Sequence, residues 1–145
     1  MSDQPCRACG RRTFLLDSAC AMIGVIALWR IGPSARYPIP TADGATVDRD
    51  NQVILVRWQN AAYAFALSCP HQNTALRWEA ENGQFQCPKH HSIYQPDGTF
   101  VKGRATRNMD RLAIRRDGEA LVVDVDAMFS SADDLAGWAA AMIHL

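Results

Sequence analysis

From Gln52 onward the chain runs in short apolar stretches broken by turn residues. QVILVRW (52–58) is apolar and β-branched, Gln59-Asn60 is a two-residue turn, and AAYAFALS (61–68) returns as a partner strand. LRW (76–78) and GQFQC (83–87) form a second hairpin-like unit, and YQPDGTF (94–100) holds the strong turn signal Pro96-Asp97-Gly98. RLAIRRDGEALVVDVD (111–126) reads as two alternating strands around Asp117-Gly118. Strands this short and this evenly spaced predict an all-β fold, a small antiparallel sandwich. Two flanks break the pattern. GPSARYPIPTADGA (32–45) has no amphipathic period and reads as a linker. SADDLAGWAAAMIHL (131–145) places Ser131 and Asp134 in capping-box positions and predicts a short terminal helix.

A third pattern lies at the start, where Thr13 to Trp29 is apolar on all sides except for Asp17. As a helix it reaches about 25 Å, the short end for a bilayer span. Arg11-Arg12 precede it, followed by Thr13, Phe14 and Leu15, so the segment resembles a twin-arginine export signal. No A-x-A cleavage site is present, and the nearest small triplet, Gly32-Pro33-Ser34, has a proline in its middle. Trp29 and Arg30 suit an interfacial position, so the segment is expected to remain as a membrane anchor. The expected division is residues 1–31 signal and anchor, 32–45 linker, 46–128 β domain and 129–145 helical tail.

Composition changes this picture in two ways. The 145 residues suffice for one modest domain, and 15 basic against 15 acidic residues leave no bulk attraction for nucleic acid. The five cysteines are uneven: Cys6, Cys9 and Cys20 precede the β domain, and only Cys69 and Cys87 lie within it. Cys6-x-x-Cys9 is followed by Gly10 where a haem attachment needs histidine.

Candidate chemistry sits in Cys69-Pro70-His71 and Cys87-Pro88-Lys89-His90: C-x-H, fifteen residues, then C-x-x-H. Each pair follows a β segment, so two loops can close on one centre with soft thiolates and imidazoles as donors. Zinc and a thiol nucleophile with a histidine base are the competing readings. A zinc finger interleaves its ligands differently, and a nucleophile would leave the second Cys–His pair unexplained.

From the strand before Cys69 to Val125 the sequence resembles the Rieske [2Fe-2S] iron–sulfur family. The resemblance implies Cys69 and Cys87 as thiolate ligands and His71 and His90 as imidazole ligands of a Rieske-type cluster, with His91 not a ligand. Thr74 and Lys89 stand where the quinol-oxidising branch has a cysteine in each loop, so its disulfide is absent at both ends. Asn73 and His91 stand where the family often has glycine. Both are residues that tolerate positive φ, so the turn shape is expected to survive. Ser92 and Tyr94 match the serine and tyrosine of high-potential members, whose hydroxyls donate toward the cluster sulfurs and raise its potential. Gly103-Arg104-Ala105-Thr106 replaces a proline-rich segment. Arg104, Arg107 and Arg111 are expected either to form a basic rim or to solubilise a strand edge.

The resemblance implies one-electron transfer by a membrane-anchored subunit of a quinol–cytochrome c oxidoreductase-like complex, respiratory or photosynthetic. Its partners would be the other subunits, quinol as donor and a c-type cytochrome as acceptor, with the domain on the exported, periplasmic face. Such a subunit is a component of an oxidoreductase rather than an enzyme on its own. The alternatives are the Rieske small subunit of a molybdenum oxidase resembling arsenite oxidase, and a metal-binding interaction module with no redox duty.

Overall fold

A computed structural model describes residues 32–145. The signal-like segment, with Arg11-Arg12, the apolar run, Cys6, Cys9 and Cys20, lies outside the described residues. Among those described, no helix is long and apolar enough to cross a membrane. The fold is mostly β, with one short helix near the C-terminus.

Eleven strands form two antiparallel sheets. The larger contains β1 (Ser34–Pro38), β2 (Gly44–Asp48), β3 (Val53–Trp58), β4 (Ala61–Ala66), β9 (Arg111–Asp117) and β10 (Ala120–Phe129), in the order β1-β10-β9-β4-β3-β2. The smaller contains β5 (Arg77–Glu79), β6 (Gln84–Gln86), β7 (Ile93–Tyr94) and β8 (Phe100–Lys102) in sequence order. After helix α1 (Leu135–Ala140), the last strand β11 (Ile143–His144) joins β4.

β3 is a continuous apolar run because both of its faces are covered. Ile54 and Val56 pack with Phe65, Leu67, Phe85, Tyr94 and Met109 in the core shared with the small sheet. Val53 and Leu55 pack on the opposite side with Ala62, Ala64, Leu112, Leu121 and Val123. The two edges of the large sheet are tied together, since the Tyr37 hydroxyl on β1 donates to Asp48 on β2 at 2.8 Å. The Asp48 carboxyl also accepts from Asn51 and is held at about 2, well below the usual carboxylate range.

Turn chemistry fixes the hairpins. Gln59 and Asn60 both have positive φ, the requirement of a type I′ turn. In the β9–β10 hairpin Asp117 pairs with Ala120, so the turn residues are Gly118-Glu119, one place later than the sequence suggested. Only Gly118 there has positive φ, the pattern of a type II′ turn.

Two expectations are corrected. Residues 32–45 are not a linker: β1 pairs with β10 over five residues and β2 pairs with β3 over five. Pro38 is accommodated because β1 is an edge strand and needs no donor on its open side. In the tail, Asp134 rather than Ser131 caps the helix, its carboxylate accepting from the Gly137 N–H at 2.8 Å. The helix then gives way to β11, which fills the edge of β4 beyond Phe65↔Arg111, the one register pair between β4 and β9.

Candidate metal centre

The two Cys–His loops leave the same end of the small sheet, one before β5 and one after β6. Their backbones are alike. In the first, the Asn73 N–H donates to Cys69 O (3.0 Å) and the Cys69 N–H donates to Thr74 O (2.8 Å). In the second, the His91 N–H donates to Cys87 O (2.9 Å) and the Cys87 N–H to Ser92 O (2.9 Å). The residue four after each cysteine takes positive φ, 52° at Asn73 and 55° at His91. The left-handed turns expected at these positions are therefore present without glycine.

This construction buries both cysteines, each 1% exposed, and leaves both as free thiols. It brings the His71 and His90 rings edge to face, with centroids 4.8 Å apart. Both Nδ1 atoms are buried and have no hydrogen-bond partner. His91, by contrast, is exposed. Partial desolvation, followed by the charges of His71, Arg104, Lys89 and His91, holds the His90 imidazole below its ordinary pKa. That favours the neutral ring a metal requires. Among the described residues no three His, Cys, Asp or Glu side chains converge to hold a single metal ion. The donors instead come as a thiol pair in the core and an imidazole pair nearer the surface.

Ser92 and Tyr94 are fully buried behind the loops. The Tyr94 hydroxyl lies 3.3 Å from Cys69 Sγ. Burial, and then its contact with Cys69, push the Tyr94 phenol well above its usual range, so it stays a donor to a thiolate. The Ser92 hydroxyl oxygen accepts from the Ala105 N–H at 3.1 Å, which leaves its own hydrogen free to donate.

Residues 31–123, more than half of the chain, match the Rieske [2Fe-2S] domain. The chain belongs to that family. A chloroplastic cytochrome b6-f complex iron-sulfur subunit of Bigelowiella natans is 31% identical over 87 residues, covering 60% of this chain and 29% of that subunit. The cytochrome b6-f complex iron-sulfur subunit of Chlorobaculum thiosulfatiphilum is 23% identical over 134 residues, covering 78% and 74%. This chain thus spans less than a third of the first relative's length. The crystal structure of the cyanobacterial plasma membrane Rieske protein PetC3 from Synechocystis PCC 6803 aligns with TM-score 0.47 at 25% identity, over 55% of this chain and 82% of that one.

The cofactor is accordingly a Rieske-type [2Fe-2S] cluster rather than zinc. The residues present fit it: two buried free thiols and two buried imidazole nitrogens with no competing partner.

Two features were missed or misread in the sequence. Gly103 has φ +121°, and a Cβ there would come within 2.9 Å of Ser92 N and 2.8 Å of Ser92 Oγ, so the 103–105 loop braces the second cluster loop directly. Its glycine was visible, but the contact that needs it is long-range. The trio Arg104, Arg107 and Arg111 does not form a rim. Arg107 pairs with Asp110, and Arg111 is 4% exposed with its guanidinium stacked 3.7 Å over Trp138. Arg104 alone of the three is exposed.

Proposed function

We propose that the protein is the Rieske iron–sulfur subunit of a membrane quinol–cytochrome c oxidoreductase-like complex and transfers one electron at a time. Cys69 and Cys87 would hold one iron through their thiolates, and His71 and His90 would hold the other through Nδ1. When bound, the cluster supplies a site that takes up and gives up a single electron. The protein's own work is to hold it, tune it and present it. The two loops present His71 and His90 at the surface end of the site, toward quinol as donor and a c-type cytochrome as acceptor. Residues 1–31 act as a twin-arginine signal and retained anchor, with the folded domain on the exported face. The relatives' names, cytochrome b6-f subunits, support membership of such a complex.

The observation that carries this reading is the Tyr94 hydroxyl at 3.3 Å from Cys69 Sγ. A donor at a cluster sulfur stabilises the more negative, reduced state and raises the potential into the range that quinol oxidation needs. A bond that strengthens by about 1 kcal/mol on reduction raises a one-electron potential by about 40 mV. Redox potentiometry followed by electron paramagnetic resonance tests it. Tyr94→Phe should lower the potential by roughly that amount while the Rieske signal persists. An unchanged potential removes the high-potential assignment, and a zinc-loaded protein without the signal removes the redox reading altogether.

A second reading, the small subunit of a molybdenum oxidase, is favoured by Thr74 and Lys89 at the positions of the missing disulfide. Isolation of the native complex and identification of its large subunits separates the two.

A further inference from the structure

The chain is neutral overall, but the small sheet is not neutral along its length. Its strands run between the cluster loops at one end and the turns at residues 80–83 and 95–99 at the other. The first cross-strand row at the cluster end is Arg77–Gln86–Ile93–Lys102. Its side chains face away from the core, because the next row, Trp78–Phe85–Tyr94–Phe100, faces into it. Arg77 and Lys102 thus stand at the two edges of one outer row, and both are exposed. Lys89, in the second cluster loop between β6 and β7, and Arg104, two residues beyond Lys102 in the bracing loop, are exposed as well, and the charges of both reach His90.

The acids of the same sheet lie at the opposite end: Glu79 and Glu81 at the β5–β6 turn, and Asp97 at the β7–β8 turn. The first cluster loop, residues 69–76, carries no acidic or basic residue other than His71. The second, 87–92, carries no acid. Among the described residues none of Arg77, Lys89, Lys102 and Arg104 is in an ion pair. The nearby Arg107 and Asp110 neutralise one another. A solubilising surface would mix the two signs, whereas this one sorts them along the strand direction, with the positive end around the part-exposed imidazoles.

We propose that Arg77, Lys89, Lys102 and Arg104 form a basic collar that docks an acidic face of a protein electron carrier over His71 and His90. The proposal rests on the electron-transfer reading and adds the charge of the partner to it. Complementary charge of this kind acts chiefly on encounter, orienting the carrier before contact and raising the on-rate by roughly tenfold or more at low salt.

The test uses the cluster-loaded protein, reduced, and two c-type cytochromes of opposite net charge mixed with it in a stopped-flow instrument. The acidic cytochrome should be reduced about tenfold faster than the basic one at low ionic strength. That preference should collapse in high salt and reverse in Lys89→Glu/Arg104→Glu, whose paramagnetic resonance signal should match the wild type. Equal rates for both cytochromes, or a preference for the basic one, overturn the collar. If neither cytochrome is reduced, the electron-transfer reading falls, and the docking face is decided by carbodiimide cross-linking to the acidic cytochrome. Cross-linked peptides containing Lys89 or Lys102 support the face. Absence of any such peptide overturns it, as does binding only to phosphatidylglycerol vesicles, which would assign the cations to a lipid surface.

Discussion

His90 and His91 are neighbours with the same side chain and different surroundings. His90 has a buried, unpartnered Nδ1 against His71, whereas His91 sits exposed in the left-handed region at φ 55°. Family spacing alone separated them in the sequence, and the geometry supplies a physical reason, because the turn that closes the loop needs positive φ at 91. His90→Ala should therefore lose the cluster, seen as loss of the visible absorption and of iron. His91→Ala should keep both, with stability lowered by about 1 kcal/mol because alanine tolerates the left-handed backbone less well. The reverse outcome would shift the ligand register by one. Asn73 follows the same logic in the first loop, and both substitutions for glycine were legible because so few side chains suit that conformation. Arg111 was illegible at this scale. Nothing local distinguishes a buried arginine from the exposed Arg115 and Arg116 on the same strand, since its partners Tyr63, Asp97 and Trp138 come from three other segments.

At the scale of elements, strands with alternating or continuous apolar runs were readable, and so were their turn residues. β1 and β2 were not. They are edge strands, so they tolerate the proline, glycine and polar residues that make 32–45 look like a linker. The cluster loops show a further regularity hidden from spacing. His71 is two residues after its cysteine and His90 three, which conceals that both loops share the same two closing hydrogen bonds. The second loop is braced by the 103–105 segment against Ser92. Gly103→Ala places a methyl group against Ser92 and forces alanine to φ +121°, so it should cost about 2–4 kcal/mol. The expected result is cluster release at a lower temperature on heating, followed by loss of absorbance. Gly118→Ala is the control: it also has positive φ but nothing within 4 Å, and should cost only about 1 kcal/mol. Equal losses in the two variants would mean that backbone conformation, not the contact with Ser92, is what Gly103 provides.

At the scale of the molecule, the two sheets and the tail meet at Arg111. From β9 of the large sheet, its guanidinium donates to Asp97 O in the β7–β8 turn (2.7 Å) and to Trp138 O in α1 (2.9 Å). Its Cζ lies 3.7 Å from the centroid of the Trp138 ring and 4.8 Å from that of Tyr63 on β4. Trp138 Nε1 in turn donates to Met109 O at 2.7 Å. The Pro96-Asp97-Gly98 turn is thereby held at Asp97, and the next residue, Gly98, packs closely on Phe65. That turn leads into β8 and then into the loop that braces Ser92, so the arginine joins the tail to the frame behind the cluster. Arg111→Met preserves much of the packing but leaves Asp97 O without its donor and Trp138 O with only the longer bond from the Ala141 N–H, at about 1–3 kcal/mol in all. Its thermal midpoint should fall by about 5–10 °C. The tail should become the first site of protease cleavage, between Ser130 and Met142, while the cluster spectrum at low temperature stays that of the wild type. Trp138→Phe, which keeps a ring under the guanidinium and removes only the bond to Met109, should show a smaller fall and a protected tail. If Arg111→Met leaves the tail protected, β11 and its pairing with β4 hold it in place instead, and the arginine serves only the turn.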